Sequence, residues 1–120
     1  MSEVIATLIQ QFRDAARDHS KATLEGDHRL ANKAVGKITK IFARIRQYGV
    51  EARAALLQVA ITSDPREAGL AATYSMKFDP ERSLAVLKRL AKDKSILGLT
   101  ASYAIKRWEQ GEWGDELDPD

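Results

Sequence analysis

The chain has 120 residues, of which 44% are hydrophobic and 30% charged, and its 19 lysines and arginines nearly balance 17 aspartates and glutamates, for a formal charge of +2. That length suits one domain with one core, and the composition is too apolar for a disordered chain and too interrupted by charge for a membrane span. The absence of cysteine excludes a disulfide framework, thiolate zinc sites and a thiol nucleophile, and is compatible with a reducing cytoplasm.

The start of the chain, Met1-Ser2-Glu3-Val4-Ile5, lacks the basic region and apolar run of a signal peptide, so none is expected. A first helix is predicted over 2–24, because Ile5, Leu8, Ile9, Phe12 and Ala16 fall at the spacing of a one-sided stripe. Gly26 ends it, and Asp27 reads as the N-cap of a second helix reaching about residue 48. The predicted buried face of that helix is Ala31, Ala34, Val35, Ile38, Ile41, Phe42 and Ile45, with Gly49 as its stop. The third helix is expected over 50–61, with Ala54, Leu57 and Ile61 inward. Asp64-Pro65 and Asp79-Pro80 are matching start signals, each an N-cap followed by a proline whose missing N–H costs nothing at the first helical position. They open a fourth helix to about residue 77 and a fifth to about residue 92. Ser95 caps a sixth that ends near Gln110, before Gly111. No segment alternates apolar and polar residues at period two, so no strand is expected.

Connections this short make successive helices pack antiparallel, which gives three hairpins. The later hairpins also look like copies of one unit. Gly69-Leu70-Ala71-Ala72-Thr73-Tyr74-Ser75-Met76-Lys77 aligns with Gly98-Leu99-Thr100-Ala101-Ser102-Tyr103-Ala104-Ile105-Lys106, and Ala55-Leu56-Leu57 aligns with Ala85-Val86-Leu87 once one residue is deleted. Stacked copies bury apolar faces that a single hairpin cannot. The expected fold is therefore all-α, six helices in three antiparallel hairpins forming a short α-α superhelix over 1–111, with an acidic tail over 112–120.

In this arrangement the chain resembles HEAT/armadillo-like helical repeats, and more closely a family of small bacterial domains of unknown function. Gly26-Asp27 with Ala31-Asn32-Lys33, then Gly49, Ala71-Ala72 and Trp108-Glu109-Gln110-Gly111 carry that resemblance. It implies an α-α superhelix and supplies no activity. One departure concerns the valine and arginine that the HEAT pattern places shortly after the turn aspartate. Ala68 and Gly69 follow Asp64 here, which puts the inter-repeat ladder built on that arginine in question.

The chain carries few residues with the marks of a catalytic or metal site. His19 and His28 stand apart, without the three or four convergent ligands a metal needs, and read as surface or boundary residues. No nucleophile elbow, phosphate loop or H-E-x-x-H motif occurs. Asp27, Asp64 and Asp79 are accounted for as caps. Tyr74 and Tyr103 hold equivalent repeat positions, where packing between hairpins is expected ahead of a ligand-facing pair. Trp113 either folds back over the end of the core or anchors an interface.

Charge distribution is the strongest signal. Arg29, Lys33, Lys37, Lys40 and Arg44 share one face of the second helix, away from its apolar stripe, and no acid occurs between His28 and Val50. Three readings compete: a solvated face relieved by Asp14, Asp18 and Glu25 of the first helix, a contact surface for an acidic protein, or a phosphate-binding stripe. No aromatic residue interleaves with the bases, which argues against single-strand binding by stacking. Over 109–120 there are six acids and no base, and this tail is expected to be irregular and able to meet the basic helix, within the chain or on a neighbour. Together these features predict a cytoplasmic, non-enzymatic protein–protein interaction module of adaptor or immunity-like type, without cofactor, metal or membrane contact. Its candidate partner-binding residues are Arg29, Lys33, Lys37, Lys40, Arg44 and Trp113, and the alternative is a nucleic-acid-binding domain that uses the same basic stripe.

Overall fold

Five of the six described helices begin where a short polar side chain meets the free amides of a first turn, and the third, which follows Gly49, has no side-chain cap. In the computed structural model, which describes residues 2–113, the helices are α1 (Glu3–Leu24), α2 (His28–Gln47), α3 (Val50–Thr62), α4 (Pro65–Ser75), α5 (Pro80–Leu90) and α6 (Ile96–Glu109). They account for all regular structure among the described residues. Ser2 accepts from Ile5 N, Asp27 from Leu30 N, Asp64 from Arg66 N, Asp79 from Arg82 N and Ser95 from Leu97 N. Pro65 and Pro80 occupy first-turn positions, as their sequence signals predict.

The helix ends follow the same chemistry. After α1, Asp27 N donates to Ala22 O at 2.8 Å and Gly26 N to Thr23 O at 3.1 Å, the paired bonds of a Schellman turn, with Gly26 at φ 72°. After α6 the motif recurs: Glu112 N donates to Arg107 O, Gly111 N to Trp108 O, and Gly111 has φ 74°. Helices α4 and α5, ending at Ser75 and Leu90, stop about half a turn earlier than the sequence suggests. Short i to i+3 bonds, Met76 N to Thr73 O and Asp93 N to Leu90 O, tighten each end and turn the chain.

Helix α1 packs most extensively on α2 and α3 on α4, whereas α5 packs on α4 somewhat more than on α6, and α4 also meets α1. The ensemble measures 37 × 28 × 26 Å. Phe12, Phe42, Leu8, Ile38, Ile45, Leu56, Met76 and Leu87 are its largest fully buried side chains. The Tyr74 ring meets Phe12 edge-on at 5.7 Å and Phe42 at 4.8 Å between centroids, and so ties α4 to both α1 and α2.

Two expected faces are corrected. Ala54 is exposed, whereas Leu57 is buried as expected and Ile61 partly so, and α3 also buries Ala52, Leu56, Val59 and Ala60. This helix is apolar nearly all round, so periodicity picks no unique side, and its contacts with α1, α4 and α5 decide the matter. On α2, Ala34, Ile38, Phe42 and Ile45 are buried and Ala31 and Ile41 partly so, whereas Val35 is 39% exposed. A helix that packs chiefly on one neighbour needs only a narrow stripe.

Candidate functional site

Because α2 lies against α1 and touches the rest of the fold only lightly, at α3 and at Tyr74 of α4, its opposite side faces solvent. Arg29, Lys33, Lys37, Lys40 and Arg44 are all exposed there, and none makes an ion pair or hydrogen bond among the described residues. Gly36 lies on the same outward side, and nothing comes within 4 Å of where a Cβ would stand. A mid-helix glycine costs about 1 kcal/mol relative to alanine, and here no internal close approach requires it. The flank of the stripe carries apolar groups: Leu30 is 51% exposed and Tyr48 44%.

Along the border with α1 the stripe meets acids. One open groove of about 300 Å³ is lined by Asp18, Lys21, Glu25, Leu30, Lys33 and Lys37 among others. The next, about 390 Å³, includes Asp14, Asp18, Lys37, Lys40 and Ile41. A third brings Glu3 to Arg44. Asp14, Asp18 and Glu25 therefore share grooves with the lysines, as the solvated-face reading expects, yet form no direct pair with them within 4.0 Å. The surface has alternating sign across the groove and positive sign on its outer side.

The strongest ionic cluster lies elsewhere and was not anticipated. Glu67, buried on α4, accepts from Arg13 Nε at 2.5 Å and from Arg17 Nη1 at 2.8 Å. Arg17 also reaches Asp64 at 3.5 Å, and Ser20 Oγ donates to Arg66 O at 2.7 Å. Hydrogen bonding to Glu67 raises both guanidinium pKa values. At Asp64 burial pushes the carboxyl up, but the hydrogen bonds and charge of Arg66, with Arg17, outweigh it and hold the group below its ordinary value. Both oxygens of Glu67 are engaged, so the cluster clamps α1 to the start of α4 and offers no free base. The available signal was Arg13 and Arg17 one turn apart, opposite a glutamate three residues past a capping aspartate.

Of the histidines, His28 is exposed, and His19 lines a crevice of about 50 Å³ with Ser20, Leu70, Leu87, Leu90 and Leu97. Burial lowers the His19 pKa from its ordinary 6.5. The crevice has room for a few waters and is far below substrate size. Among the described residues no group of three or more histidines, aspartates and glutamates could hold a metal ion, and no helix is long and apolar enough to cross a membrane.

At the other end, Trp113 folds back. Its ring stands edge-on to Trp108 at 5.4 Å, and the Arg107 guanidinium lies 5.9 Å from its centroid. Of its two expected roles, the structure shows packing against the end of the core. The rest of the acidic tail, 114–120, lies outside the described residues.

The two repeat tyrosines part company. Tyr74 is 7% exposed and Tyr103 58%. Both rings are expected to be packed, and only Tyr74 is buried, against Phe12 of α1 and Phe42 of α2, while among the described residues no helix covers Tyr103. No family model matches the chain, and no curated protein or solved structure matches it either.

Proposed function

We propose that the protein is a non-enzymatic interaction module, an adaptor or immunity-like protein of the cytoplasm, that engages an acidic partner protein through the outer face of α2. The observation that carries this reading is the row of five exposed, unpaired cations on a helix with one free side. The proposed architecture is a short HEAT-like superhelix of three hairpins. Packing of α1 on α2, α3 on α4 and α5 on α6, with α4 joined to α5, supports it. So does the repeated segment at Gly69 and Gly98.

A protein partner fits better than a phosphate backbone. A polyanion gains from uniform positive potential, whereas the α2 cations share their grooves with Asp14, Asp18 and Glu25. Leu30 and Tyr48 add apolar contact, which a protein interface uses and a phosphate backbone does not.

The test places a photo-crosslinking residue at Gly36 in the full chain, expressed in its own host, beside a Lys33→Glu, Lys37→Glu variant. The expected result is one protein adduct, lost in the variant, while the circular dichroism spectrum stays unchanged. A nucleic-acid adduct would replace this reading with the alternative. In that case the logarithm of affinity should fall against the logarithm of salt with a slope of about −4 if all five cations contact phosphates. No adduct at Gly36 would return the stripe to a solvated face.

A further inference from the structure

We infer that the outward face of α6 is a second docking surface, independent of the α2 reading, and that its occupant is an amphipathic helix of a partner protein with acidic residues flanking an apolar stripe. The internal repeat supplies the first argument. On α4, the positions Glu67, Leu70, Ala71 and Tyr74 face inward, and Glu67 and Tyr74 take Arg13, Arg17 and Phe12 of α1 directly. The register that aligns Gly69 with Gly98 places Ile96, Leu99, Thr100 and Tyr103 at these same positions on α6. All four are exposed: Ile96 by 45%, Leu99 by 50% and Tyr103 by 58%. The face by which α4 holds a helix is thus repeated on α6, where Thr100 borders the crevice shared with α1 and, among the described residues, no helix lies upon Ile96, Leu99 and Tyr103.

One substitution between the copies changes what can bind. Glu67 receives the arginines of α1, whereas Ile96 offers no carboxylate, so the α6 surface suits an apolar stripe in place of a basic one. Its rim supplies the charge. Lys94 lines the groove that holds Ile96 and Leu99, and Lys106 and Arg107 are exposed one turn past Tyr103. The acid in that groove, Asp93, is turned to the backbone, with its Oδ1 accepting from Ser95 N at 2.7 Å. An apolar stripe rimmed by cations complements a helix with aspartate or glutamate on both borders. A second copy of this surface would bring like charges together, so self-pairing through it is disfavoured.

The experiment selects a displayed library of helical peptides of about 15 residues, near the shortest length at which helices hold in water, against the full chain. Enriched peptides should carry apolar residues at i, i+3, i+4 and i+7 with acidic borders. Their affinity should fall about tenfold or more with Leu99→Glu or Tyr103→Glu, as when an interface anchor is lost. It should weaken with Lys94→Glu plus Lys106→Glu at low salt, and stay unchanged with Lys33→Glu plus Lys37→Glu. All six altered positions are exposed, and circular dichroism verifies that each variant is folded. Failure to enrich, enrichment without acidic borders, or binding insensitive to Leu99→Glu overturns the proposal. So does a concentration-dependent dimer in sedimentation that Leu99→Glu abolishes, because the occupant is then a second copy.

Discussion

Gly98 and Gly36 show how single residues carry different weight. A Cβ at Gly98 would stand 1.9 Å from the Asp93 carbonyl oxygen, a backbone atom that cannot yield without reshaping the α5–α6 turn. Gly98→Ala should therefore lower the thermal midpoint clearly. Gly36→Ala meets nothing and should raise stability by about 1 kcal/mol in urea titration. Arg13 and Arg17 act together on Glu67. Replacing both by alanine strands a buried carboxylate and should lower the urea midpoint, and Glu67→Gln in the same background should restore part of it. The titrating groups add a pH dependence of fixed sign. Asp64 and Asp93 have lowered pKa values, Asp93 through its hydrogen bonds from Ser95. Their stabilising contribution is complete above the ordinary carboxylate value of about 4 and is lost as pH falls through the lowered values. Urea titrations in acid should show a shallower decline for Asp64→Asn. His19 is held below 6.5 by burial, so on acidification the unfolded chain takes up its proton first and stability drops. His19→Leu should remove the part of that drop between about pH 7 and pH 5.

The helices differ in how firmly the fold holds them. Ala68, Ala71 and Ala72 of α4 are fully buried, and this helix touches α1, α3, α5 and α6. On α6 only Gly98 and Ala101 are buried. Hydrogen exchange should show α4 amides as the slowest and α6 amides as the fastest among helix interiors, because local opening of α6 exposes little apolar surface. Equal protection across both helices would contradict this packing order. The same comparison separates a legible pattern from an illegible one. On α1, charge confines the apolar residues to one stripe, and Ile5, Leu8, Ile9, Phe12 and Ala16 are all buried as their spacing predicts. On α3 nearly every side is apolar, so Ala54 and Ala52 cannot be told apart until their neighbours are in place.

Across the whole molecule, charge and burial are segregated. The cations of α2 occupy one free helix face, and the apolar stripe of α6 occupies another. Lys33→Glu plus Lys37→Glu should leave the thermal midpoint nearly unchanged, since exposed charges without partners contribute little to stability. A large loss of stability in that variant would mean that Asp14, Asp18 and Glu25 depend on those lysines for charge balance.

The chain's own sequence determined the number of helices, their caps, the α1 stripe and the basic row on α2. Each depends on residues within a few positions of one another, through cap hydrogen bonds, helical spacing and like charge on one side. Only the tertiary structure decided that Glu67 clamps α1 to α4, that Trp113 returns to Trp108, and that Tyr74 is buried while Tyr103 is bare. The clamp joins residues dozens of positions apart, the tyrosines differ by whether a neighbouring helix covers them, and the short turn at Gly111 allows the Trp113 ring to meet Trp108 without requiring it. Two copies of one local pattern cannot report which of them is covered.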